Sequence, residues 1–126
     1  MNRLFGAFAV LAGVVIIILS GFFINTHTAG TVEKFLSLSM DYAEKNDIPN
    51  AKSELEKALN EWNKKMDTML LFISHGRLDE IEQSLNTAYA YIKNNDISMY
   101  TAECTRAFLM TENFKNVEFP TVNNIF

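Results

Sequence analysis

Three kinds of side chain in this 126-residue chain could support catalysis or metal binding: histidines, a cysteine and clustered acids. Both kinds of chemistry need several donors that converge on one point. His75 could approach Asp79 and Glu82 across the loop between two predicted helices, which would make a weak three-ligand metal site. The same residues also suit a simpler role, in which His75 satisfies the last carbonyls of one helix and the acids complement the dipole of the next. The simpler role is favoured, so we predict no metal site.

The other reactive groups are isolated from one another. Cys104 is the single cysteine, which excludes an intrachain disulfide, and its position on a helix is expected to face the core, where cysteine serves as a small apolar side chain. His27 has no donor cluster around it. The acids at Asp79, Glu80 and Glu82 follow a helix start, as solvated capping acids do, which disfavours a hydrolase site. Since no glycine-rich phosphate loop or Ser-His-Asp spacing is visible either, we predict that the chain is not an enzyme and uses no cofactor.

An apolar stretch near the amino terminus dominates the chain. Leu4–Ile24 contains no charge and no proline. About twenty such residues form a helix that crosses roughly 30 Å of hydrocarbon. A cleaved signal peptide is the alternative, but its apolar region usually has only about 7–15 residues and ends in a clear cleavage site. We therefore predict an uncleaved transmembrane anchor over residues 1–25.

The charges around this stretch predict its orientation. Arg3 precedes it, and the next Lys or Arg is Lys34. The positive-inside rule then places the amino terminus in the cytoplasm and the carboxy-terminal domain outside it, in a single-pass cell-membrane protein. Small residues recur near one face of the anchor and could let a neighbouring membrane helix approach closely. They are Gly6, Ala9, Gly13 and Ser20.

The part of the chain after the anchor is mildly acidic. It carries fifteen acidic residues against ten basic ones, a net charge of −5. A nucleic-acid partner requires a basic face, and adsorption to anionic lipid headgroups requires one too. We therefore predict neither nucleic-acid binding nor electrostatic lipid binding.

The remaining residues are predicted to be helical. A short linker over 26–31, where Gly30 and Thr31 interrupt the anchor, is expected to lead into a four-helix bundle over 32–116. A non-helical tail over 117–126 should dock on the bundle, because it contains apolar residues. Apolar residues at three-four spacing predict four helices, at about 32–45, 48–74, 78–94 and 97–115.

An internal repeat supports two similar helical hairpins. Tyr42 and the run Asn46-Asp47-Ile48 recur forty-nine positions later as Tyr91 and Asn95-Asp96-Ile97. Each run joins two helices, with the aspartate as a cap. Two antiparallel hairpins make an up-down bundle, and a short solenoid is the alternative. Gly76, by contrast, is interpreted as the residue that ends the second helix.

Large apolar side chains on the predicted inner faces allow a second interpretation. Trp62, Met66 and Phe108 could line a pocket for an apolar ligand. Such residues more often fill a bundle core, and core packing is favoured.

The chain resembles domain-of-unknown-function family 4363, short single-span membrane proteins of Gram-positive bacteria. The resemblance rests on the stretch from Trp62 to His75, on Leu78–Leu85 and on the Asn95-Asp96 turn. It implies a membrane-anchored helical bundle outside the cytoplasm, with a multi-span membrane protein as a reasonable partner, and it implies no catalytic residues. We expect a protein-interaction or structural component of the cell envelope, with a binding module for an apolar ligand as the alternative.

Overall fold

The computed structural model describes residues 2–70 and 75–117, and every regular element in this part of the chain is an α-helix. The helices are α1 (Asn2–Glu44), α2 (Ile48–Met69), α3 (His75–Lys93) and α4 (Ile97–Val117). Each helix packs against its neighbours in a closed ring, in which α4 returns to α1, and the diagonal pairs make no comparable contact within the described ranges. This arrangement confirms the predicted all-α fold, with a long apolar helix leading into a four-helix bundle.

The predicted linker is wrong, because residues 26–31 lie inside α1. The helix runs without interruption from the apolar segment into the bundle. A glycine inside a helix costs only about 1 kcal/mol relative to alanine. Here Thr28, Ala29 and Val32 are almost fully buried against the rest of the bundle. Burial of these side chains offsets the weak local helix preference, so Gly30 adopts helical geometry and the separate first bundle helix at 32–45 is the second half of α1.

The connection between α2 and α3 also differs from the prediction. α3 begins at His75 rather than at 78, and Gly76 is its second residue, without a positive φ. The interpretation of Gly76 as a helix-ending residue is therefore wrong. α2 is helical to Met69, and the remainder of the predicted helix over 48–74 lies largely outside the described residues.

The structure describes only the start of the predicted carboxy-terminal tail. α4 extends to Val117, two residues beyond the predicted end at 115. The rest of the predicted tail over 117–126 lies outside the described residues.

The first turn of the repeat ends α1 with a left-handed asparagine. Asn46 has φ 60°, and its backbone N–H donates to the Ala43 carbonyl at 3.0 Å, while the Asp47 N–H donates to the Tyr42 carbonyl at 2.9 Å. This pair of bonds is the Schellman arrangement, which satisfies two carbonyls at a helix end. The Asp47 carboxylate then accepts from the Asn50 N–H at 3.3 Å and caps α2.

The second turn repeats these bonds between α3 and α4. Asn95 has φ 61°, its N–H donates to the Ile92 carbonyl at 3.1 Å, and the Asp96 N–H donates to the Tyr91 carbonyl at 2.9 Å. The Asp96 carboxylate accepts from the Met99 N–H at 3.2 Å. The repeat read from the sequence therefore encodes two copies of one turn, and both lie at the same end of the bundle.

The core follows one continuous stripe on each helix. Trp62 and Tyr100 are its largest fully buried side chains. The apolar residues at three-four spacing along α3 are all buried, and they are Leu78, Ile81, Leu85, Ala88 and Ile92. In α1 the buried stripe starts well before the predicted bundle, and its members are Gly21, Asn25, Thr28, Ala29, Val32, Leu36, Ser39 and Ala43.

Candidate interaction surfaces

The amino-terminal half of α1 is an exposed apolar surface. Twelve of its large apolar side chains between Leu4 and Phe23 are 46–75% exposed, whereas Phe22 is half-buried. α1 is long and apolar enough to cross a membrane, and the apolar part is almost entirely outside the packed core. An exposed surface of this size in a protein marks contact with a membrane or a partner.

The predicted contact face lies within this surface. Gly6, Ala9 and Ser20 are exposed and Gly13 is half-buried. A Cβ placed on Gly6 or Gly13 would meet no atom within 4 Å. The structure therefore leaves this face open along the helix, with room for another helix to approach the backbone closely.

Two polar residues are buried where the apolar surface meets the bundle. Asn25 is 7% exposed and Thr28 1%, yet within the described part of the chain the Asn25 Oδ1 atom accepts no hydrogen bond and the Thr28 hydroxyl forms none. Thr31, one turn further on, differs because its hydroxyl donates to the His27 carbonyl at 2.9 Å. A buried polar atom without a partner costs about 1–3 kcal/mol. The junction is therefore a locally destabilised part of α1.

The register of α1 and α2 shows what this junction faces. The Ser39 hydroxyl donates to the Ala51 carbonyl at 2.6 Å. Because the two helices are antiparallel, going back eleven residues from Ser39 to Thr28 corresponds to going forward eleven from Ala51 to Trp62. Thr28 is therefore level with Trp62, and Gly21 is level with Met69.

The predicted pocket residues belong to the packed interior. Trp62 is fully buried, and Met66 and Phe108 are partly buried against the same core cluster. Three surface hollows are lined by described residues, and none of these three includes Trp62, Met66 or Phe108. Their placement agrees with core packing.

A small polar network lies inside the bundle. The Ser39 hydroxyl, whose proton goes to the Ala51 carbonyl, accepts a hydrogen bond from the Tyr100 hydroxyl. Cys104 is fully buried one turn from Tyr100. Burial raises the pKa of the Cys104 thiol to about 12, although the neighbouring Tyr100 hydroxyl partly opposes this. A thiol held neutral in this way is a poor nucleophile, as its inward position predicted.

A second polar cluster lies on the outside, between α2 and α3. The Tyr89 hydroxyl donates to the Glu56 carboxylate at 2.9 Å, and this bond raises the pKa of Tyr89. The Lys52 ammonium lies 5.7 Å from the centre of the Tyr89 ring. These contacts join α2 to α3 across a shallow groove, which the sequence does not predict. Glu56 lies on the exposed face of α2, and Tyr89 lies at the edge of the apolar stripe of α3. Periodicity places each residue on its own helix but does not show that these two helices are neighbours.

The described acids and histidines do not form a three-ligand cluster. No group of three or more His, Cys, Asp or Glu side chains among those residues could hold a metal ion. His27 stacks its ring on Phe23, with ring centres 6.1 Å apart, on the outer side of α1. His75 is the first residue of α3.

The fold and its surfaces define an all-α protein in which a long apolar helix continues into a small four-helix bundle. The family model described as "Domain of unknown function (DUF4363)" matches residues 20–125, and the chain belongs to this family. The match begins next to Gly21, where burial of α1 begins, so the family relationship covers the bundle rather than the exposed apolar half of α1. No curated protein and no solved structure matches the chain.

Proposed function

We propose that this protein is a single-span, non-enzymatic component of the cell envelope, whose bundle contacts a membrane-protein partner outside the cytoplasm. The observation that carries the proposal is the continuity of α1. Its first half exposes an apolar surface, and its second half, from Gly21 onward, is a packed element of the bundle.

This continuity has a mechanical consequence. A helix of 43 residues is about 64 Å long, and crossing the hydrocarbon takes roughly 30 Å of it. The burial of α1 starts at Gly21, before the apolar stretch ends at Ile24. The bundle would therefore sit directly on the membrane surface, without a flexible tether, and would keep one rotational orientation relative to the span. That arrangement suits a protein that presents a fixed face to a neighbour in the membrane.

The charge pattern supports the orientation. Arg3 lies before the apolar stretch, whereas the nine residues that follow the stretch, from Asn25 to Glu33, contain no Lys or Arg. By the positive-inside rule, the amino terminus stays in the cytoplasm.

Protease treatment of intact protoplasts tests the placement, with a different epitope tag at each end. We expect the carboxy-terminal tag to be lost and the amino-terminal tag to stay protected. Loss of both tags only after lysis would place the bundle in the cytosol. Recovery of the bundle in the medium would show that the anchor is cleaved.

Photocrosslinking from the membrane span tests the partner. A photoreactive residue at Gly13 lies on the small-residue face, whereas one at Leu11 lies about 200° away around the same helix and is an equally apolar, exposed control. We expect a discrete protein adduct from position 13 and mainly lipid adducts from position 11. Lipid adducts alone from both positions would contradict a partner on this face.

A further inference from the structure

The groove between α2 and α3 has a shape and chemistry that the proposed function does not use. These two helices make the least extensive contact of the four neighbouring pairs. Two hollows lie along them, with volumes of about 320 and 400 Å³, within or near the lower range of ligand sites. Lys52 lines the larger hollow and lies over the ring of Tyr89, which lines the smaller one. The two hollows therefore form one groove, which we call the α2–α3 groove.

The smaller hollow is lined by carboxamides. Asn60, Asn63 and Asn86 border it, together with Leu59 and the Glu56–Tyr89 pair. All three asparagines are exposed positions in the middle of helices, where asparagine is a weaker helix former than alanine, lysine or glutamate. A carboxamide carries one acceptor and two donors, so it can pair with both polar groups of a peptide unit.

The spacing of two of these carboxamides suits an extended peptide. Asn60 and Asn63 are one helical turn apart, which places their Cβ atoms about 5–6 Å from each other. An extended chain presents main-chain groups on one side every two residues, about 6.6–6.8 Å apart. Side chains as flexible as asparagine can cover the difference.

The larger hollow, at the end that carries the two Asn-Asp turns, differs in charge. Lys52 and Lys93 flank an apolar floor of Ile48, Pro49 and Ile92. Neither lysine forms an ion pair with a residue of the described ranges. Two cations without a carboxylate partner in the described ranges, beside an apolar floor, stand out in a domain with an excess of acids. They suit a carboxylate that is next to an apolar side chain.

From these features we infer that the α2–α3 groove binds an extended peptide segment of the membrane partner, with an apolar residue and a carboxylate at the turn end. The part of α2 that borders the groove, from Pro49 to Asn63, is about 21 Å long. This length corresponds to about six or seven residues of an extended peptide. This inference rests on the proposed function only for the origin of the peptide.

A peptide pool tests the groove on the full chain in lipid nanodiscs. The probe is a pool of peptides of about seven residues, randomised except for a final leucine with a free carboxylate, and the comparison is the same pool with an amidated end. We expect the protein to retain the free-acid pool about tenfold better than the amidated pool, with retained peptide measured by mass spectrometry. Empty nanodiscs give the background.

Two sets of variants separate the halves of the groove. Lys52→Gln with Lys93→Gln should abolish the preference for the free acid, whereas Lys64→Gln, an exposed lysine elsewhere on α2, should keep it. Replacing all three groove asparagines by alanine should abolish retention of both pools. Asn113→Ala, on the exposed surface of α4, is the matched control. Circular dichroism verifies that each variant is folded.

Two outcomes would overturn the inference. One is equal retention of both pools by the wild type, and the other is equal retention of the free-acid pool by the wild type and the asparagine variant. If these occur while crosslinking from position 13 still captures a membrane protein, the groove assignment fails and the proposed function stands.

Discussion

Replacing Asn46 by alanine tests whether the left-handed turn residue encoded by the repeat stabilises the bundle. Asn46 has φ 60°, and its backbone N–H and that of Asp47 both donate to carbonyls at the end of α1. The backbone must keep this conformation for α2 to fold back along α1. Alanine has to adopt the same φ without the short polar side chain that makes asparagine tolerant of it.

The magnitude follows from the backbone geometry. The left-handed conformation costs an ordinary L-residue roughly 1–2 kcal/mol, and asparagine avoids part of that cost. We expect Asn46→Ala to lower the free energy of unfolding by about 1 kcal/mol. For a domain of this size, that corresponds to a fall of about 4–8 °C in Tm. Asn46→Gly should be closer to the wild type, because glycine adopts positive φ freely and its one cost is the larger conformational entropy of the unfolded chain.

Thermal unfolding of the full chain in detergent micelles, followed by circular dichroism at the helical minimum, measures the effect. Asn95 offers an internal replicate, since it has φ 61° and equivalent hydrogen bonds. Asn95→Ala should therefore give a similar fall in Tm. Asn94→Ala is the matched control, because Asn94 is an exposed neighbour without a positive φ. If Asn46→Ala and Asn95→Ala destabilise the protein no more than Asn94→Ala does, the turn conformation is not the reason for the repeat.

Three further predictions concern the interior. Thr28→Val should raise the free energy of unfolding by about 1 kcal/mol, since it removes a buried hydroxyl without a partner, whereas Thr31→Val should not; Tm values of both variants decide this. Ser39→Ala should lower the free energy of unfolding by about 1–3 kcal/mol, because the Tyr100 hydroxyl loses its acceptor. In a double-mutant cycle, Ser39→Ala combined with Tyr100→Phe should lower it by less than the sum of the two single changes. Cys104 should resist iodoacetamide in the folded protein even as pH rises past 9, because its pKa of about 12 keeps the thiol neutral. After denaturation it should react promptly. Rapid alkylation of the native protein, measured by mass spectrometry, would contradict its burial.

Stability should depend on pH through the same cysteine. Its folded pKa is raised above the ordinary value of 9.0 to about 12. Between pH of about 9 and about 12, the unfolded chain loses the Cys104 proton while the folded protein keeps it. The free energy of unfolding is therefore unaffected below this range and falls as pH rises through it. Replacing Cys104 by alanine should remove this part of the alkaline loss.

Much of the fold could be predicted because it depends on local patterns. The inward residues of α3 follow directly from three-four spacing, and the two Asn-Asp turns follow from a repeat whose hydrogen bonds close within a few residues. The burial of Trp62 follows from its place in the apolar stripe of α2. None of these needs information about which helix lies opposite.

The error at Gly30 has the opposite property. Gly30 and Thr31 predict a break when only their own helix preference counts, yet burial of Thr28 and Val32 keeps α1 continuous. The local preference is worth about 1 kcal/mol, which contacts with distant parts of the chain exceed. Gly76 also predicts a helix end, yet it is an exposed residue in the first turn of α3.

By itself, the sequence determined that this protein has an apolar amino-terminal helix, an acidic helical domain and two copies of one turn, because each depends on the order of neighbouring residues. The tertiary structure alone decided that the apolar helix enters the bundle without a hinge, that Asn25 and Thr28 face inward, and that Lys52, Tyr89 and three asparagines line one groove. Those features arise from packing between helices that are far apart in the chain, and side-chain burial there outweighs the small local preferences that a sequence displays.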